Sequence, residues 1–250
     1  GTSNIDGAVH LGTSFSRDED GTLTMNPSHY LNRMEESYNL RFPGEKIKTD
    51  VKSPLDPGDH PELDSSKFLD TDGIQVYQSL IGAFQWAVSI GRWDIMTAVM
   101  TLSSFRAQPR IGHMERVKRI YAYLLSNRHY RIRFNVREPN HEDTPVHRYD
   151  WHNTAYGTEA EELPKDAPEP RGKRVVFTHY YDANLMHDIL SGKSVTGTLH
   201  LANLTPMMWY SKKQATSETA TYGSEFLAAR TCVKQIIDLR NSFRYLGVPI

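Results

Sequence analysis

Val175-Val176-Phe177-Thr178-His179-Tyr180-Tyr181-Asp182 is a β-branched and aromatic run that ends on an acid. Branched and ring side chains pack well on a pleated surface, so the run predicts a strand with Asp182 at its end. Runs over residues 194–201 and 207–211 repeat the pattern, and the three together predict an antiparallel meander. The period then changes. Phe226, Leu227, Cys232, Val233, Ile236, Ile237 and Leu239 recur near helical spacing, which predicts a helix over 219–245 with only Gly223 interrupting its early turns. A helix packed across such a meander would let Asp182 and Glu225, in its first turns, converge. Paired carboxylate oxygens suit magnesium or manganese, although an acid taken singly is more often a solvated surface group.

Upstream of the meander, charge is segregated in a way that the formal net charge of −1 conceals. Residues 103–135 carry Arg106, Arg110, Arg116, Lys118, Arg119, Arg128, Arg131 and Arg133 against the single acid Glu115. Residues 136–170 reverse the balance, with nine acids against Arg137, Arg148 and Lys165, and Pro139, Pro145, Pro164, Pro168 and Pro170 among them. A basic module is thus followed by an acidic, Pro-rich connector. Arginines and lysines on a helix neutralise phosphates without reading sequence, so Arg110, Arg116, Lys118 and Arg119 are candidate nucleic-acid contacts, with a solvated helical face as the alternative. Lys212 and Lys213, after the last strand, fit either a nucleic-acid contact or a soluble turn.

The basic module reads as helical. Apolar periodicity predicts helices over 74–90, 94–105 and 112–127, broken at Gly91-Arg92 and Gln108-Pro109, and Tyr77, Leu80, Ile81, Phe84, Ala87 and Val88 make a broad core stripe on the first. Before them, prolines and glycines punctuate residues 42–72, which predicts an irregular segment wrapping a surface. At the start, residues 8–15 and 22–25 predict a hairpin around Asp18-Glu19-Asp20-Gly21, followed by a helix capped by Asn26 with Pro27 in its first turn. Residues 131–136 alternate as a strand. The expected class is α+β, with a hairpin and helical module over 1–135, a linker over 136–172 and a meander-plus-helix unit over 173–250.

Several chemistries lack support. The single cysteine, Cys232, falls in a helical pattern and reads as a small buried side chain. None of the eleven histidines has the spacing of a zinc helix, and no Gly-x-Ser-x-Gly elbow occurs. No apolar run is long enough to span a bilayer and the first residues do not form a signal peptide, so the expectation is an intracellular protein without a membrane partner.

Tyr181-Asp182-Ala183-Asn184, Ser194-Val195-Thr196-Gly197, Trp209-Tyr210-Ser211-Lys212-Lys213-Gln214-Ala215-Thr216 and Thr221-Tyr222-Gly223-Ser224-Glu225-Phe226-Leu227-Ala228-Ala229 together resemble the ribonuclease H region of copia-type retrotransposon polyproteins. Tyr77-Gln78-Ser79-Leu80-Ile81-Gly82-Ala83, Arg92-Trp93-Asp94-Ile95 and Lys118-Arg119-Ile120 resemble the part of the same polyproteins that follows the polymerase active site. The resemblance implies the end of a reverse transcriptase, with thumb-like helices, joined to the first part of a ribonuclease H-like domain. It implies cleavage of RNA in an RNA–DNA hybrid by two Mg²⁺ or Mn²⁺ ions, with Asp182 and Glu225 as metal-binding catalytic residues and the remainder of the polyprotein as a partner. The implied setting is cytoplasmic, as in virus-like particles, or nuclear.

The chain also departs from that family. Asn184-Leu185 stands where the family often has an acid and an aromatic, and no Tyr-x-Asp-Asp polymerase signature occurs. The family's next metal-binding Asp has no counterpart. Asp188 is an unconvincing substitute, and Asp238, roughly 220° around the helix from Glu225, faces elsewhere. A truncated or degenerate element that at most binds nucleic acid is the alternative expectation.

Overall fold

The computed structural model describes residues 7–142, 153–155, 157 and 165–250. Most of the acidic connector's middle, including Asp150, Glu159, Glu161 and Glu162, lies outside them. The described chain is α+β, with two antiparallel sheets and five helices.

The first sheet is built from β1 (Val9–His10), β2 (Thr13–Arg17), β3 (Leu23–Asn26) and β4 (Ile132–Arg133), in that spatial order. The expected single strand over 8–15 is in fact two strands. Leu11 and Gly12 take φ of 53° and 85°, the two-residue turn that matches strand twist, and His10 pairs with Thr13 across it. Helix α1 (Ser28–Arg41) follows, but Asn26 does not cap it. Its side-chain amide instead donates to the carbonyls of Arg128 (3.1 Å) and Tyr130 (3.2 Å), fastening the approach to β4.

Helices α2 (Thr71–Ser89), α3 (Met96–Ser103) and α4 (Ile111–Ser126) occupy the three expected stretches. Asp70 caps α2 by accepting from the Gly73 amide at 2.8 Å. Their apolar stripes meet α1 in one core: Leu31, Leu80, Ile81, Phe84, Leu102, Val117 and Ile120 are all buried there. The Tyr121 ring lies 4.8 Å from Phe84 and 5.0 Å from Tyr38, and the Tyr77 hydroxyl donates to the Leu102 carbonyl at 2.8 Å. Each fully buried aliphatic or ring here contributes roughly 1.5–3 kcal/mol. Residues 42–70 wrap this bundle with only a short 3-10 turn at Pro61–Leu63.

The second sheet is the expected meander, with longer strands: β5 (Phe177–Asp188), β6 (Lys193–Ala202) and β7 (Thr205–Lys213). Asp182 is therefore in the middle of β5 rather than at its end. Helix α5 (Thr221–Tyr245) crosses one face and buries Ser224, Ala228, Cys232 and Gln235 against it. This interface is polar. Gln235 Oε1 accepts from the Thr198 hydroxyl at 2.7 Å and from His200 Nε2–H at 2.9 Å, which leaves His200 Nδ1 to accept from His179 Nδ1–H at 2.8 Å. The meander's other face meets the helical module, where the Trp209 indole donates to the Val88 carbonyl at 3.0 Å.

Candidate functional site

The basic residues of α4 come together on one side of the helix, facing the wrapping segment. Arg116 donates to Asp59 through Nε and Nη2, both at 2.7 Å, and to Asp64 through Nη1 at 2.7 Å. Lys118 pairs with Glu45 at 2.9 Å and Glu115 at 3.1 Å and lies 4.7 Å from the centre of the Phe42 ring. Arg119 pairs with Asp56 at 2.8 Å and donates to the Ser53 carbonyl at 3.2 Å. Arg110 donates to the Ser66 carbonyl and stacks 3.8 Å over Phe68. All four candidate phosphate contacts are thus held by acids, carbonyls or rings of residues 42–68 and by Glu115.

The electrostatics agree with a structural use. Hydrogen bonds from Arg116 to Asp59, opposed by burial and reinforced by Asp64, raise the guanidinium's affinity for its proton. Burial pushes the Asp64 carboxyl up, yet hydrogen bonds from Ser66 and Arg116 outweigh it and hold the group below its usual range. Gly112 explains how Asp64 comes so near the start of α4, since a Cβ there would stand 1.9 Å from its carboxylate oxygen.

Asp182 and Glu225 are not brought together. Directly paired residues of an antiparallel sheet point to the same face, and neighbours along a strand alternate. Thr198 and His200, which touch Gln235 of α5, pair with Tyr181 and His179, and the Phe177 ring meets Phe243 of α5 at 4.7 Å. The odd-numbered residues of this part of β5 therefore face α5. Asp182, paired with Gly197, points to the other face and is exposed. Glu225 is half-buried on α5, next to Ser224, whose carbonyl accepts from Gln214 at 2.9 Å while the same amide reaches Thr196. The two acids thus share a level along β6 and are separated by the sheet. Among the described residues no group of three or more His, Cys, Asp or Glu is placed to hold a metal ion. The residues present do not fit a shared magnesium or manganese site.

Of the remaining candidates, Lys212 is exposed, whereas Lys213 pairs with Asp188 at the end of β5. Asp238 is exposed on α5. One functional feature gave no local sequence signal: the joint between the two modules. Thr101 donates its hydroxyl proton to the Thr97 carbonyl, so His187 Nε2–H donates to Thr101 Oγ1 at 3.1 Å, and His187 Nδ1 accepts from the Asn184 amide at 3.1 Å. Glu62 accepts from the Ile189 amide at 3.1 Å and pairs with His60 at 2.9 Å.

The chain is 27% identical over 233 residues to a retrovirus-related Pol polyprotein from transposon TNT 1-94 of Nicotiana tabacum, covering 90% of this chain and 14% of that protein. This likeness supports a retrotransposon polyprotein. It is also 25% identical over 161 residues to secreted RxLR effector protein 161 of Plasmopara viticola, covering 64% of this chain and 89% of the effector. No family profile and no solved structure matches the chain. No helix among the described residues is long and apolar enough to cross a membrane.

Proposed function

We propose that this chain is the part of a retrotransposon polyprotein that joins the end of a reverse transcriptase to a ribonuclease H-like domain, and that by itself it is a structural unit rather than a nuclease. The similarity to the transposon polyprotein runs through both the helical module and the meander, which supports the first half of the reading. The placement of Asp182 and Glu225 on opposite sides of the sheet carries the second. Cleavage of RNA–DNA hybrids with Mg²⁺ or Mn²⁺ then belongs to the intact polyprotein, whose further acids and any shift of α5 would have to assemble the site.

The test is incubation of the chain with a labelled RNA–DNA hybrid and either metal. No cleavage above background is expected, and Asp182→Asn and Glu225→Gln are expected to match the parent chain. Cutting that is lost in Asp182→Asn would overturn the reading. Hybrid binding is expected to be weak, because the α4 cations are engaged internally, and what binding there is should fall steeply with salt.

The extent of the effector similarity favours a second reading, a non-catalytic product that works without the rest of a polyprotein. It requires the chain alone to unfold in one cooperative denaturant transition. A gradual, non-cooperative loss of structure would remove it.

A further inference from the structure

Gln235 fixes which protons the network beneath α5 can hold. A carboxamide oxygen only accepts, so the Thr198 hydroxyl and His200 Nε2–H both donate to it, at 2.7 and 2.9 Å. His200 Nδ1 is then a bare acceptor. His179 Nδ1–H fills it at 2.8 Å, and His179 Nε2 is left as the position in this pair of rings that takes a further proton. Thr198, His200 and Gln235 are buried and His179 is half-buried, all between α5, β5 and β6. The arrangement is internal, so it does not depend on what covers the outer edge of the sheet.

That further proton is poorly met. The charged and titratable groups that act on His179 are His200 of β6 and Arg240 of α5, and β5 itself adds the Phe177 ring and Tyr181 on the same face. No carboxylate is among them. Burial, then His200 and Arg240, holds the His179 imidazole below its ordinary value with nothing opposing, whereas Asp64 pulls His113 up and Glu62 pulls His187 up. A charged ring at position 179 therefore gains by moving away from His200 and Arg240. Its departure strips the donor from His200 Nδ1 in a fully buried ring, which a buried acceptor tolerates poorly.

The network sits where α5 has least else to hold it. Gln235 is the last buried residue of the helix, and beyond it Phe243 meets the Phe177 ring of β5 at 4.7 Å. The residues after α5 in turn hold the approach to β5, since the Gly247 carbonyl accepts from the Arg171 amide and the Pro249 carbonyl from the Val175 amide, both at 2.8 Å. We propose that His179, His200 and Gln235 form an acid-released latch: a proton on His179 frees the C-terminal half of α5, together with residues 171–175, while the rest of the fold stays closed. The latch involves neither a nucleic acid nor a metal, so its failure and that of the proposed function are separate results.

The released ring has the ordinary histidine value of about 6.5 and is about ten to one protonated at pH 5.5, while the latched ring takes its proton only at lower pH, so acid promotes opening by up to about tenfold. Hydrogen exchange of the whole chain, corrected for intrinsic rates, reads this directly. Amides of residues 236–245 should be less protected than those of residues 117–124 in α4, as local opening requires, and should lose about three- to tenfold in protection between pH 7.5 and pH 5.5. His179→Gln, whose amide still donates to His200 and takes no proton, should abolish that loss, and His187→Gln should leave it in place. Gln235→Leu should lower protection of the same amides at pH 7.5 already. Nitrogen-15 spectra of the imidazoles in the parent chain at pH 7.5 should place the proton of His200 on Nε2 and that of His179 on Nδ1. A proton on His200 Nδ1 overturns the latch whether or not the variants fold, as does a loss of protection that is absent, or that persists in His179→Gln.

Discussion

Arg116 grips Asp59 through two parallel hydrogen bonds of 2.7 Å, joining the middle of α4 to a loop 57 positions earlier in the chain. Both side chains are mostly buried, at 22% and 16% exposure, so the pair is a cross-link between the wrapping segment and the bundle rather than a surface ornament. Removing one member leaves the other with its desolvation cost unmet, which typically costs about 3–5 kcal/mol for a buried pair. Arg116→Ala is expected near the lower part of that range, because the site retains some solvent. A double-mutant cycle with Asp59→Asn in urea denaturation should give a coupling of about 1–3 kcal/mol. Coupling near zero would return Arg116 to the pool of cations available for phosphates.

Gly112 and Gly82 make a matched pair of tests. At Gly112 an added Cβ would meet the Asp64 carboxylate at 1.9 Å, whereas at Gly82, inside α2, it would meet nothing within 4 Å. Gly112→Ala should therefore destabilise by about 1–3 kcal/mol or more, since Asp64 is held in place by Ser66 and Arg116. Gly82→Ala should stabilise by about 0.5–1 kcal/mol through helix propensity alone. Thermal melts of the two variants check both signs, and equal melting temperatures would show that Asp64 moves aside freely.

The larger elements were legible in the sequence because hydrophobic period is a local property. Residues 74–90, 112–127 and 219–245 carry their helices in their own spacing. The face on which Asp182 lands was not legible, because β5 has aromatic or histidine side chains on both parities, with Tyr180 on one and His179 and Tyr181 on the other. Only the position of α5, fixed by Gln235 and Phe243, decides which parity is inside. The fate of the basic cluster was hidden for a related reason. Eight cations within 33 residues look available until Asp56, Asp59 and Asp64, far away in sequence, fold back on them.

Acid should weaken the fold in two stages. Burial holds the imidazoles of His113, His179 and His187 below the ordinary histidine value, against the opposing pull of the Pro61 carbonyl and Asp64 on His113 and of Glu62 on His187. Each therefore binds its proton more readily in the unfolded chain. Their contribution is complete above the unfolded value of about 6.5 and is lost as pH falls below it. Glu62, Asp64 and Asp188 are buried, which raises them, but hydrogen bonds outweigh that and depress all three. Their contribution persists to lower pH and disappears below the usual carboxylate values of about 4. Urea midpoints measured between pH 7.5 and 5 should decline, and His187→Gln should flatten that decline. A midpoint that rises toward pH 5 would contradict the assignment.

Trp209 supplies the sharpest test of how the two modules depend on each other. Its indole N–H reaches the carbonyl of Val88 at the end of α2, and the ring belongs to the face of the meander that meets the helical module. The α5 side of that meander is rich in hydrogen bonds and poor in large aliphatics, so the sheet draws on the helical module for part of its apolar burial. Trp209→Phe keeps most of the ring and forfeits one part-buried hydrogen bond, for a loss of about 1 kcal/mol and a preserved single transition. Trp209→Ala removes the contact altogether and should cost about 3–5 kcal/mol. It should also split unfolding into two stages, the meander melting first and the helical bundle later. Tryptophan fluorescence and far-ultraviolet circular dichroism would then cease to coincide, and coincident curves for Trp209→Ala would mean that the modules are joined mainly through His187–Thr101 and Glu62–Ile189.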